Sequence, residues 1–117
     1  MVRNTLSIKL SLSNDLKLTV LFRVEPDCLG PDGERHVQGF CDFAQKEVES
    51  IDSDFVDWCV TPMFDKLQPE IEYKIGSKKL TNDKVARYLE MFDKNQSEFE
   101  AYISEKISLL ISQYLEH

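Results

Sequence analysis

A chain of 117 residues, 42% of them hydrophobic, has the material for one domain with a single core. Its net charge of −7 repels phosphate backbones, so nucleic acid is not an expected partner. No apolar run approaches about 18 residues, and no membrane span is expected. The three cysteines, Cys28, Cys41 and Cys59, lie too far apart for a CxxC or zinc-knuckle pattern and read as reduced thiols of a cytoplasmic protein.

Charge is unevenly laid out. Residues 1–24 carry a balance of +3, residues 25–72 a balance of −10, and residues 73–117 seven charges of each sign. Met1-Val2-Arg3-Asn4 leads into alternating rather than continuous apolar residues, so no secretory leader is expected. Leu115-Glu116-His117 reads as the remnant of a vector-encoded histidine tag, leaving 1–114 as a single domain.

The first predicted element is a β-hairpin. Leu6, Ile8, Leu10 and Leu12 alternate with polar residues, as do Leu16, Leu18, Val20, Phe22 and Val24. A three-residue Ser13-Asn14-Asp15 loop sets Leu10 opposite Leu18 and Ile8 opposite Val20 on one face, whereas a two-residue loop mixes the faces. A connection rich in turn formers runs from Glu25 to Gly33. Val37, Cys41, Ala44, Val48 and Ile51 then follow a 3.6-residue period, predicting a helix from about Glu34 to Ser50 in preference to a third strand through 35–43.

Asp52-Ser53-Asp54 offers a cap and first-turn acids for a second helical segment through Phe55, Cys59, Met63 and Leu67, with a kink at Pro62. Ile71, Tyr73 and Ile75 alternate before Gly76-Ser77, predicting a second hairpin with Tyr73 opposite Leu80. Thr81 is placed to cap the next helix. From there to Tyr114 the chain has no Gly or Pro, and Val85, Leu89, Phe92, Phe99, Ile103, Ile107, Leu110 and Tyr114 form one stripe. One unbroken helix would be about 50 Å long and overhang its own core. A break at Asp93-Lys94-Asn95-Gln96, with a capping box at Ser97 and Glu100, is favoured; a continuous dimer-forming helix is the alternative. The fold expected is α+β, with two antiparallel hairpins in one small sheet, helices on one face and the order ββ-α-α-ββ-α-α.

With helices on one side, the other sheet face would carry Lys9, Lys17, Arg23, Lys74 and Lys79 against Glu72, a docking surface for an acidic protein. Phe99, Ile103, Ile107 and Leu110 are the residues through which the C-terminal helices are expected to self-associate as a homodimer. Asp52-x-Asp54-x-x-Asp57 lacks the glycine and closing glutamate of a calcium loop, so no metal is expected. Trp58-Cys59 has no second cysteine, and no cofactor motif is present. The function read from these features is a small non-enzymatic interaction module of the adaptor, chaperone or regulatory kind. The alternative is a small-molecule binder or minor enzyme with a pocket between sheet and helices, using His36, Cys41, Tyr73 or Tyr88.

Overall fold

A computed structural model describes residues 16–116. Strand β1 (Leu18–Val24) is followed by a 3-10 turn (Pro26–Leu29) and helix α1 (Gly33–Val48). Strands β2 (Val56–Pro62), β3 (Ile71–Ile75) and β4 (Lys78–Lys79) precede helices α2 (Asn82–Glu90) and α3 (Gln96–Leu115). The class is α+β, as expected, with one sheet in the order β2-β1-β3-β4.

That sheet is mixed rather than built from two antiparallel hairpins. β1 runs parallel to β2, with Leu18 beside Val56 and Val24 beside Pro62, and antiparallel to β3, with Leu18 beside Ile75. Both edges of β1 are therefore occupied, by β2 and β3. Residues 6–12, expected to pair with 16–24, lie outside the described residues.

The helix expected through 52–67 is also corrected, since Val56–Pro62 is a strand. Val56, Trp58 and Val60 point inward while Asp57 and Cys59 are exposed, a period of two in a β-branched and aromatic run. The four-residue spacing of Phe55, Cys59, Met63 and Leu67 was a coincidence of that pattern, because Cys59 and Leu67 face solvent. Pro62 ends the strand, where a missing amide is tolerated.

The remaining elements match their patterns closely. Helix α1 confirms the 3.6-residue period over 35–43 and excludes the third-strand reading. The second hairpin forms with Ile75 beside Lys78 and Lys74 beside Lys79, and the Leu80 amide donates to Tyr73 O at 2.9 Å. Thr81 caps α2, accepting from the Lys84 amide. The C-terminal stripe breaks into two helices, but the second is capped by Asn95, which accepts from the Glu98 amide at 3.1 Å, rather than by Ser97. Asp93 takes the left-handed conformation (φ 61°) that turns the chain between them.

All three helices share one core with the inward side chains of the sheet. Leu18, Val20, Phe22 and Val24 of β1 meet Val37, Phe40 and Ala44 of α1, Val85 and Leu89 of α2, and Ile103, Ile107 and Leu110 of α3. Trp58 stacks on Phe99 with ring centroids 5.5 Å apart, and its indole N–H donates to Ile51 O at 2.7 Å. The α1 side chain of Gln45 reaches β2, donating to Trp58 O and accepting from the Val60 amide, both at 2.9 Å.

Candidate functional site

The alternation that buries one face of the sheet defines the other. Thr19 and Leu21 of β1 point away from the helices, flanked in register by Asp57 and Cys59 on β2 and by Lys74 and Glu72 on β3. Lys79 lies beside Lys74 at the β4 edge, and Lys17 immediately precedes β1. Arg23, Lys74 and Lys79 thus fall on one face, Lys17 lies at its end just before β1, and Lys9 lies outside the described residues. The face also holds Asp57, which the sequence pattern assigned to a helix.

Arg23 is not a free cation of this surface. Its side chain is buried, with Nη1 donating to Pro69 O at 2.7 Å and Nη2 to Glu72 Oε1 at 3.0 Å. That hydrogen bond, aided by the charges of Lys79, Arg23 and Lys74, holds the Glu72 carboxyl below its ordinary value despite partial desolvation. Lys79 Nζ approaches the same carboxylate oxygen at 3.9 Å. Half-buried Lys17 and Lys74 and exposed Lys79 supply the positive charge toward this face, opposed by Glu72 and Asp57.

Phe99, Ile103, Ile107 and Leu110 are buried by the chain's own sheet and helices. The cover that the C-terminal stripe requires is therefore intramolecular. Turned outward from α3 are Tyr102, Leu109 and Leu115, each about half exposed.

The four residues considered for chemistry are engaged separately. Tyr73 is buried and donates to Glu100 Oε2 at 2.6 Å, and burial with that carboxylate's influence pushes its phenol far above the usual range. The Tyr88 hydroxyl lies 3.1 Å from Leu16 O and 3.2 Å from Phe55 O, and burial raises its pKa. Cys41 faces the core, where desolvation and then the charge of Asp42 push its thiol up to about 12. Cys28 is likewise raised, by burial and then by Glu25, Glu70 and Asp27. Both thiols are thus protonated at neutral pH, and protonated thiols are poor nucleophiles. His36 is exposed on α1, in an open groove shared with Phe43 and Tyr114.

Two features escaped the sequence reading. A groove of about 420 Å³ lies between the α1–β2 and α2–α3 loops, with Asp52, Asp93, Lys94 and Tyr102 in its walls. Asp52 (φ 50°) and Asp93 are its two left-handed non-glycine residues, and Lys94 Nζ reaches Asp52 Oδ1 at 3.5 Å. Among the described residues, no group of three or more His, Cys, Asp or Glu side chains is arranged to hold a metal ion. The second feature is the β2–β3 loop, where Phe64 and Leu67 stand in solvent. The sequence signal for it was Pro62 and Pro69 bracketing the six residues Met63-Phe64-Asp65-Lys66-Leu67-Gln68. No helix of the described residues is long and apolar enough to cross a membrane. No family model, no curated protein and no solved structure matches this chain.

Proposed function

We propose that the protein is a non-enzymatic interaction module that receives an acidic protein or peptide on the sheet face opposite the described helices. The observation that carries this reading is the segregation of layers. The three described helices pack on the Leu18, Val20, Phe22 and Val24 side, and the opposite side presents half-buried Leu21 in register with Cys59 and Glu72, with Lys74 further along β3 and Lys79 beside it. An apolar centre with lysines toward the β3–β4 edge suits a partner carrying carboxylates beside a small apolar contact. Self-association, if α3 serves it, uses the outward Tyr102 and Leu109 rather than the four buried stripe residues.

The test is capture from cell extract by the wild type and by Lys17→Glu/Lys74→Glu/Lys79→Glu, which leaves the buried Arg23 clamp in place. The reading expects proteins retained by the wild type, released as salt rises to about 0.3 M where screening lengths fall well below 10 Å, and absent with the variant. An identical captured set from both proteins refutes it.

A further inference from the structure

Phe64 is 73% exposed and Leu67 93% exposed, and they sit three residues apart on one turn. Isolated exposed apolar residues are ordinary, but two large ones this exposed within one short loop are not. The turn is tied down by hydrogen bonds. Asp65 Oδ1 accepts from the Leu67 amide at 3.0 Å, and Asp65 O accepts from the Gln68 amide at 3.1 Å. At its base the Met63 amide donates to Val24 O at 2.8 Å, the Arg23 amide donates to Glu70 O at 2.8 Å, and the Arg23 guanidinium grips Pro69 O. The central strand therefore presents a preformed apolar knob, whose ordering cost is met by folding and not by binding.

Acidic residues accompany the knob. Asp65 is on the turn itself, Glu70 closes the loop with its carbonyl accepting from the Arg23 amide, and Asp27 approaches from the 3-10 turn. Lys66 is the lone cation of the turn, paired with Asp27 at 3.4 Å. Anionic lipid would be repelled by this collar, so a membrane surface is a poor fit. We propose that the Phe64/Leu67 turn docks a basic amphipathic segment of a partner protein, its apolar face covering the knob and its Lys or Arg residues meeting the acidic collar. This surface is separate from the sheet face opposite the described helices, and opposite in charge.

The probe is a 14-residue amphipathic helix of leucine and lysine, titrated into 15N-labelled protein at 0.15 M salt. Saturable shifts are expected at residues 63–70 and 25–28. Phe64→Ser/Leu67→Ser, which keeps every charge, should weaken Kd at least tenfold. Leu109→Ser and Lys17→Glu/Lys74→Glu/Lys79→Glu should leave the binding mode intact, so this test stands or falls apart from the sheet-face reading. Both substituted side chains of the knob variant lie in solvent, and an unchanged urea midpoint verifies its fold. Equal affinity for the wild type and the knob variant overturns the proposal, as do shifts centred elsewhere. Uptake by phosphatidylcholine vesicles that depends on Phe64 and Leu67, without peptide binding, also overturns it in favour of a membrane site.

Discussion

Gln45 does for strand β2 what a neighbouring strand would do, since one amide group satisfies both the Trp58 carbonyl and the Val60 amide. Replacing it with alanine removes two hydrogen bonds and strips two partly buried backbone groups of partners. Each bond is worth about 1 kcal/mol net, and each deserted group costs about 1–3 kcal/mol. Gln45 is half-buried, so water recovers part of this. Gln45→Ala should therefore lower unfolding free energy by about 2–3 kcal/mol, a large share of the roughly 5–15 kcal/mol a domain commands.

Gln45→Glu gives a sharper version. An ionised carboxyl still accepts from the Val60 amide but opposes the Trp58 carbonyl, whereas a protonated one restores the donor. Folding therefore raises the pKa of the introduced carboxyl above its unfolded value of about 4.3. Stability from the restored bond is fully present below that value and is lost as pH rises through the folded one. Urea unfolding followed by the fluorescence of Trp58, the chain's single tryptophan, is the assay. The variant should trail the wild type by about 2–3 kcal/mol at pH 7, with the gap narrowing by about 1–2 kcal/mol near pH 4. A Gln45→Ala cost under about 0.5 kcal/mol, or a pH-independent gap for Gln45→Glu, refutes the bridging role.

Two other perturbations test separate joints. A Cβ at Gly33 would lie 1.7 Å from Pro26 O and 2.6 Å from Pro26 C, so Gly33→Ala must prise the 3-10 turn off the start of α1. It should destabilise by about 2 kcal/mol or more in thermal unfolding, where an unobstructed Gly→Ala in a helix gains about 0.5–1 kcal/mol. Arg23→Met should cost about 2–4 kcal/mol, because it deserts both Pro69 O and the largely covered Glu72 carboxylate. Since Arg23 depresses the Glu72 pKa, the wild type holds this stabilisation above the unfolded glutamate value and loses it as pH falls through the folded one. The variant should accordingly show a flatter loss of stability between about pH 5 and 3, and matching acid slopes would refute the pairing.

What could be read from the sequence was whatever local pattern decides. Helix α1 announced itself by four turns of period 3.6, and the 71–80 hairpin by Gly76-Ser77 between alternating runs. The break before α3 was legible in Asp93-Lys94-Asn95, where polar residues interrupt the stripe, although Asn95 and not Ser97 became the cap. Strand β2 was missed because Phe55, Cys59, Met63 and Leu67 happen to fit a helical spacing as well as Val56, Trp58 and Val60 fit a strand. Parallel pairing with β1 decided between them, and a contact between Leu18 and Val56 leaves no trace in either segment alone. The site followed the same rule. Alternation put Arg23, Lys74 and Lys79 on one face, but only the tertiary structure turned Arg23 from a surface charge into a clamp on Glu72 and Pro69.

The strand at the middle of the sheet is the earliest described one in the chain, and both of its neighbours come late. Leu18 waits for Val56 on one side and Ile75 on the other. At a ribosomal pace of about 5–20 residues per second, the interval before Val56 is made is roughly 2–8 s. Throughout it Leu-Thr-Val-Leu-Phe-Arg-Val has neither ladder partner, a sticky strand in a nascent chain. Folding must begin by closing long loops, which makes it slow for a protein of this size. Fragments that stop short of Ile75 lack one side of the ladder, so the central strand stays half-paired until β3 has been made.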